Sequence, residues 1–262
     1  MNANPEKIVG IVDRAARILA CFDRTTPERT LPEIATHLDL PKPTAFRILA
    51  NLVRHGLLAY DETTNVYTLG FANLRFADAV LTHLPIRAAA RPTMQAIREA
   101  INETVVLSVR DGDHRINVDS VESTQAIAQT LQLGVRIPLY AGAASQVLLS
   151  GLSDTEISDY LGRTELIAFS ATTLIGPEAV RQRIAEIRAQ GFAVSYSEFT
   201  PSGGSAIAVP LRDPSGAVVA ALHVSGPKGR LTPELQRRCL DALLAGSRTV
   251  TDALAKRAAD RP

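Results

Sequence analysis

Two short amphipathic segments stand close together near the start of the chain. Between Leu31 and Leu38, apolar residues recur at the helical spacing i, i+3, i+4 and i+7. Four later residues repeat that spacing: Ala45, Ile48, Leu49 and Leu52. Pro41 and Pro43 cannot sit inside a helix but suit its first turn, which places the break just before them. The pattern predicts two helices joined by a tight turn, with the second ending at Gly56.

The outer face of the second helix is polar and basic. The positions opposite its apolar face are Pro43, Arg47, Ala50 and Arg54. A helix–turn–helix whose second helix directs arginines outward is the form that reads the major groove of DNA. This pattern indicates a DNA-binding protein.

The flanking patterns complete a winged helix–turn–helix over residues 1–70. The segment Ile8–Phe22 carries one apolar stripe and predicts a first helix. Two β-prone runs, Leu57–Tyr60 and Asn65–Leu69, enclose a polar turn and predict a hairpin. Three helices followed by a hairpin are typical of this fold.

A sparsely charged helical pattern follows from Phe71 to Leu84, within a predicted linker segment of residues 71–85. One interpretation is that this helix caps the DNA-binding domain. The other, which we favour, is that it pairs with the same helix of a second copy. A reader of this size usually needs a dimer to reach specificity.

Residues 86–262 change to a mixed pattern that predicts an α+β effector-binding domain with an antiparallel sheet. Helices are predicted at Ile86–Ile101, Ala143–Leu152, Asp154–Leu161 and Pro177–Gln190, and from an N-cap at Thr232. Strands are predicted at Thr104–Arg110, His114–Val121, Gln125–Leu133, Val135–Leu139, Phe192–Ser197, Ala206–Leu211 and Ala217–Ser225.

Composition sets limits on these expectations. The net charge is only +1, and the first seventy residues hold eight basic and eight acidic residues, so no general basicity supports DNA binding. The charges are segregated, however, because Leu40–Tyr60 contains Lys42, Arg47 and Arg54 and no acid.

Cys21 and Cys239 lie in apolar helical patterns and are expected to be buried thiols. No metal spacing, targeting segment or membrane-length apolar run is present, and we expect a cytoplasmic protein without cofactors.

The chain resembles the IclR-type bacterial transcriptional regulators over almost its whole length. The N-terminal likeness is LPEIATHLDLPKPTAFRILANLVRHGLL with the wing that ends at Gly70. The C-terminal likeness comprises LGVRIPLYAGAASQVLLSGL, GFAVSYSE and AIAVPLRDPSGAVVAALHVSGPKGRLT. The resemblance implies a winged helix, a linker helix and a GAF-like effector-binding domain. It also implies a homodimer, or a dimer of dimers, that binds palindromic operators and responds to a small metabolite.

Several residues depart from the family pattern near the expected pocket. Ser145-Gln146 replaces the usual Gly-Lys, Gly142-Ala143 stands at a small-polar position, and His223 replaces a serine. Glu198 is a single acid where relatives often have two or three. A known member's ligand is therefore not transferred to this chain.

The candidate DNA-binding residues lie on the second helix and in the wing: Lys42, Pro43, Thr44, Phe46, Arg47, Asn51, Arg54 and Thr64. Arg47 can reach a guanine edge or a phosphate, whereas Lys42 suits a phosphate anchor. Phe46 has two readings, contact with a thymine methyl or packing on the preceding helix. Arg54 suits a backbone contact or plain solvation, and the wing residues Thr63–Asn65 either meet phosphate or form a solvated turn.

The candidate effector-binding residues are those that the family pattern places around a backbone-lined apolar cup: Leu133, Gly134, Pro138, Ala141, Ala143, Tyr196, Glu198, Ala206, His223 and Ser225. His223 and Ser225 share one face of a strand. They are either ligand groups, suited to a carboxylate or an aromatic (phenolic) catabolite, or a hydrogen-bonded polar pair inside the sheet.

Other functions fit the residues less well. A triad of Ser145, His223 and Glu198 can be drawn, but GAASQ is not the Gly-x-Ser-x-Gly nucleophile elbow. Ser202–Ser205 lacks the lysine and the helix of a phosphate loop. We therefore expect no enzyme. A repressor or activator without a ligand, or a scaffolding protein whose helix–turn–helix contacts other proteins, remains the alternative.

Overall fold

The computed structural model describes residues 10–129, 132–199 and 204–259. The chain divides into two compact units between His83 and Leu84. Residues 8 and 9 of the predicted first helix, 130 and 131 of the strand predicted at Gln125–Leu133, and 202 and 203 of the Ser202–Ser205 stretch lie outside the described residues. Each unit has its own hydrophobic core.

The first unit contains the predicted helices and wing. Its helices are α1 Ile11–Leu19, α2 Leu31–His37, α3 Lys42–Arg54 and α4 Ala72–Thr82, and its strands are β1 Arg29–Thr30, β2 Leu58–Asp61 and β3 Val66–Leu69. The strands form an antiparallel sheet in the order β1-β3-β2. Thr30 and Glu33 form a reciprocal capping box that fixes the start of α2. The predicted winged helix–turn–helix is confirmed.

The turn between α2 and α3 is tight. Asp39 adopts φ +51°, and the Leu40 N–H donates to the carbonyl of Ala35 over 2.9 Å. Gly56, at φ +70°, follows the last turn of α3 in the left-handed conformation predicted for it. Asp39 therefore turns the chain into α3, and Gly56 turns it from α3 towards the wing.

The apolar stripe of α1 is buried only in its second half. Ile18 is fully buried and Phe22 nearly so, whereas Ile11 and Val12 are 64% and 78% exposed. Cys21 packs beside Phe22, and burial raises the pKa of its thiol. Cys239 is also buried, as the apolar patterns predicted for both cysteines.

The second unit is an antiparallel sheet between two layers of helices. Its helices are α5 Pro85–Ile101, α6 Ala143–Ser150, α7 Asp154–Arg163, α8 Pro177–Gln190 and α9 Pro233–Ala259. Its strands are β4 Thr104–Asp111, β5 His114–Val121, β6 Arg136–Pro138, β7 Ala193–Tyr196, β8 Gly204–Arg212 and β9 Val218–Pro227. The sheet order is β6-β5-β4-β9-β8-β7, with every described pair antiparallel. The α+β prediction is confirmed.

Strand alternation sorts the side chains between the two layers. Leu222 and Val224 of β9 belong to the core formed with α5 and α9, whereas Ala221 belongs to the core formed with α6, α7 and α8. His223 lies between these apolar residues on the same side as Ala221. Polar side chains of β9 are therefore directed towards the α6 layer, although both faces of the sheet are covered.

The strand predicted at Gln125–Leu133 was wrong for its described residues, and the one predicted at Val135–Leu139 is reduced to β6. The Asn102 carbonyl accepts from the Gln125 side chain over 2.7 Å, and the Asn102 side chain accepts from the Thr124 N–H over 3.0 Å. These side-chain bonds hold the start of the segment in a loop, because they take the place of the backbone bonds that a strand would make with its neighbour.

A buried ion pair fixes the same loop from its other side. The Arg230 guanidinium donates to both oxygens of the fully buried Glu103 carboxylate, over 2.6 and 2.8 Å, and to the Ile127 carbonyl over 2.6 Å. A Cβ on Gly226 would lie 2.7 Å from this carboxylate, so the pair requires glycine there. Thus the loop is held close to the end of β9.

Candidate DNA-binding helix and ligand cavity

The predicted reading face of α3 is exposed. Ala45, Ile48, Leu49 and Leu52 are buried, whereas Lys42, Pro43, Phe46, Arg47, Asn51 and Arg54 are exposed and Thr44 is half-buried. Phe46 is 55% exposed and lies outside the core of this unit, which disfavours packing as its role. The Asn51 side-chain amide donates to the Arg47 carbonyl over 2.7 Å, which leaves its oxygen as the group that can accept.

The wing is ordered by local bonds. The Asp61 carboxylate accepts the Thr63 N–H over 2.8 Å and the Thr64 N–H over 3.4 Å. The Thr63 bond leads the interactions that lower the pKa of Asp61, so this carboxylate is ionised. Tyr60 donates to the Asn65 side chain over 2.7 Å. Thr64 is exposed at this tip, but its position beside Asp61 counts against close approach to a phosphate.

A cavity of about 60 Å³ lies in the second unit between the sheet and the start of α6. Six of the ten predicted ligand residues line it: Ala141, Ala143, Glu198, Ala206, His223 and Ser225. Gly142 also lines it, as expected for a residue near the predicted pocket. The remaining lining residues were not predicted from the sequence: Arg115, Gln129, Ala144, Ser195, Phe199, Gly204 and Ser205. Inside the cavity, small side chains expose backbone, and a few polar groups converge.

Four predicted ligand residues lie outside this cavity. Tyr196 is 39% exposed and donates to Gln236 on α9, because alternation along β7 turns Ser195 to the cavity instead. Leu133 and Gly134 are exposed, and the Gly134 N–H bonds the Asn117 carbonyl at the edge of the sheet. Pro138 pairs with His114 at the end of β6.

Glu198 forms one side of the cavity and is tied to α6. One of its oxygens accepts the Gln146 side chain over 2.7 Å and the Gly142 N–H over 3.2 Å. Gln146 also donates to the Tyr140 carbonyl over 3.0 Å, so this amide, at the position where the resemblance implies a lysine, joins two parts of the wall. Burial raises the pKa of Glu198, and the two hydrogen bonds and Arg183 offset part of that rise.

His223 forms another side of the cavity. Its Nδ1 is buried without a hydrogen-bond partner. Burial, with a further contribution from the positive charge of Arg115, lowers the pKa of His223 well below its usual value. The imidazole is neutral at pH 7 and offers one donor and one acceptor. The alternative prediction, a hydrogen-bonded pair of His223 and Ser225 inside the sheet, leaves this nitrogen without a hydrogen bond.

The imagined triad is not assembled at the cavity. His223 and Glu198 line it, but Ser145 is fully buried inside α6, is not part of the lining, and its Oγ has no partner. Within residues 10–129, 132–199 and 204–259 no group of three or more His, Cys, Asp or Glu side chains could hold a metal ion. None of the helices in those ranges is long and apolar enough to span a membrane.

Comparison with known proteins agrees with this arrangement. The family model described as bacterial transcriptional regulator IclR C-terminal matches residues 78–252, and the IclR helix-turn-helix domain model matches residues 11–62. The chain is 34% identical over 228 residues to the HTH-type transcriptional regulator KipR of Bacillus subtilis, covering 86% of this chain and 90% of that protein. It is 32% identical over 237 residues to the Pca regulon regulatory protein of Pseudomonas putida, covering 90% and 80%.

A solved structure shows the same fold over most of the chain. The crystal structure of an IclR homologue from Microbacterium hydrocarbonoxydans, complexed with 4-hydroxybenzoate, superposes with a TM-score of 0.79. The alignment covers 94% of this chain and 100% of that chain at 21% identity. The fold of this chain is therefore shared with that solved structure.

Proposed function

Because the chain belongs to the IclR family of bacterial transcriptional regulators, which are not enzymes, we propose that it reads a palindromic operator through α3 and that a small carboxylate in the cavity modulates this binding. The observation that carries the proposal is the outward face of α3. Lys42, Arg47 and Arg54 are exposed there, and the chain has no acid between Leu40 and Tyr60. Such a face combines phosphate anchors with one arginine able to read a base edge.

We further propose that the protein acts as a homodimer, with residues 1–70 as reader, 71–85 as dimerisation segment and 86–262 as effector domain. Support comes from α4, whose described residues are all at least partly exposed. Phe71, Leu74 and Val80 are 89%, 65% and 62% exposed, an arrangement that favours pairing with a second copy. Two copies would supply the two readers that a palindrome requires.

A carboxylate effector is supported by the polar lining and, more distantly, by the 4-hydroxybenzoate bound to the structural relative. Glu198, His223 and Ser225 are the predicted ligand residues that offer polar groups at the cavity. We propose that they orient the effector while the backbone near Ala141 contacts its apolar part.

A gel shift with salt titration tests DNA binding against the scaffolding alternative. The probe is a duplex selected by the protein from a random DNA library. The two exposed cations assigned to phosphate, Lys42 and Arg54, give about four phosphate contacts from two copies, so log K should fall against log salt with a slope of about −4. A scaffolding protein would select no duplex, and any residual binding would show no such slope.

A further inference from the structure

One charged side chain of the cavity lining, Arg115, forms no ion pair with any described residue. Arg115 lies on β5, paired with Arg110 of β4 and Ile137 of β6, and it is 7% exposed. Its Nε has no hydrogen-bond partner. A buried guanidinium in this state is costly, because the protein replaces neither its hydration nor its counterion.

The groups around Arg115 leave its positive charge unbalanced. Burial alone lowers its pKa to about 10, so the group still carries its charge at neutral pH. The nearby His223 is neutral and cannot balance that charge. Glu198 also lines the cavity, but one of its oxygens is already bonded to Gln146 and Gly142. The charge on Arg115 is therefore available to a molecule that enters.

We infer that Arg115 is the anchor for the carboxylate of a compact monoanionic effector, with His223 and Ser225 as its polar neighbours. The inference rests on the proposed function, which places the effector in this cavity. A guanidinium presents parallel N–H groups that match the two oxygens of a carboxylate. The neutral imidazole and the hydroxyl can bond a further oxygen of the same molecule.

The dimensions of the cavity limit the size of the ligand. A cavity of about 150 Å³ is known to bind benzene, and this one is smaller, at about 60 Å³. A short aliphatic acid fits this volume, whereas an aromatic acid requires the walls to move. Arg115 supplies a single positive charge to the lining, which favours a monoanion over phosphate.

The inference is tested by thermal shift on the full-length protein with acetate, glycolate and lactate. Each acid has a neutral counterpart of nearly equal size: acetamide, glycolamide and lactamide. We expect at least one acid to raise the melting temperature by several degrees while its amide does not. Benzoate and inorganic phosphate, which test size and charge, should give no shift.

The matched variants are Arg115→Met and Arg110→Met, because these arginines are cross-strand partners and only Arg110 is exposed. We expect Arg115→Met to weaken binding of the active acid at least tenfold and Arg110→Met to leave it unchanged. Without ligand, Arg115→Met should melt at the same or a higher temperature than the parent, because it removes an unpaired buried charge. An arginine with a purely structural role would give a lower melting temperature.

If Arg115→Met does not yield folded protein, Arg115→Lys serves, since it keeps the charge but loses the fork and should still weaken binding severalfold. Equal affinity in the parent and in the Arg115 variant, or equal shifts by acid and amide, would overturn the inference. A shift by benzoate or phosphate alone would also overturn it. If DNA binding is salt-dependent but no acid raises the melting temperature, the DNA-binding proposal stands and the anion anchor fails. If an acid raises the melting temperature but no salt-dependent DNA binding is found, the anion anchor stands and the DNA-binding proposal fails.

Discussion

Replacing Arg47 by alanine is expected to abolish the operator footprint while the protein keeps its fold. Arg47 is exposed on α3, and its Cβ lies on the face opposite the buried Ile48 and Leu49. A bidentate arginine–guanine pair contributes about 1–3 kcal/mol of discrimination, and a dimer would lose two of them. Operator affinity should therefore fall by about thirtyfold or more. Footprinting and fluorescence anisotropy on the selected duplex measure this loss.

Arg54→Ala is the matched control for Arg47→Ala. Arg54 occupies the last turn of the same helix and is equally exposed, so its loss removes one charge without removing base readout. We expect only a modest, sequence-independent weakening from it. An unchanged footprint in Arg47→Ala, or equal losses in the two variants, would contradict the assigned role of Arg47.

Replacing Gly70 by alanine is expected to unfold the DNA-binding unit without affecting the cavity. The Gly70 N–H donates to the Leu57 carbonyl over 2.9 Å at the base of the wing. A Cβ on Gly70 would lie 2.1 Å from the Gly56 carbonyl oxygen and 2.7 Å from the carbonyl carbon. Both are backbone atoms, so the wing must separate from the end of α3, at a cost of about 3 kcal/mol or more.

Calorimetry of the full chain measures this effect. The transition of the first unit should shift down or vanish, and DNA binding should be lost, while acid-induced stabilisation of the second unit persists because that unit has its own cores. Gly229→Ala is the control, since a Cβ there meets no atom within 4 Å. A Gly70→Ala protein that melts and binds DNA like the parent would refute the assigned packing at the wing.

The helix–turn–helix could be predicted from the sequence because each of its helices has one buried and one solvated face. The helical spacing of Ala45, Ile48 and Leu49 therefore predicts both the helix and its buried face. The strand predicted at Gln125–Leu133 failed in its described residues for a physical reason, since Asn102 and Arg230, which are distant in sequence, hold Gln125 and Ile127 in a loop. Local patterns do not contain such contacts.

The cavity was predicted in part, and Arg115 shows why. On β5, Ile116 and Val118 alternate with Arg115 and Asn117, a pattern that indicates one buried and one solvated face. The structure covers both faces, so Arg115 is buried in the layer facing α6. Polar residues on one face of an interior strand, in a sheet covered by helices on both faces, were the sequence feature that could have indicated the cavity. Tyr196 was misplaced because a one-residue error in register reverses the direction of a side chain.

The departures from the family pattern acquire a structural meaning. Gln146, at a position where the resemblance implies a lysine, bonds Glu198 and the Tyr140 carbonyl and adds no positive charge. With that lysine absent, Arg115 is the lining residue that carries a positive charge among the described residues. His223, in place of a serine, adds a neutral ring beside it. These substitutions change the chemistry of the cavity while the surrounding fold is kept.

The most direct test of the account measures operator affinity with and without ligand. Fluorescence anisotropy of the selected duplex would be recorded in the absence and in the saturating presence of the acid that gives the largest thermal shift. Coupling between two sites commonly amounts to about 1–3 kcal/mol, so the dissociation constant should change by about fivefold or more in the parent and by less in Arg115→Met at the same acid concentration. An operator affinity that is unchanged while the cavity is saturated would contradict a ligand-responsive regulator.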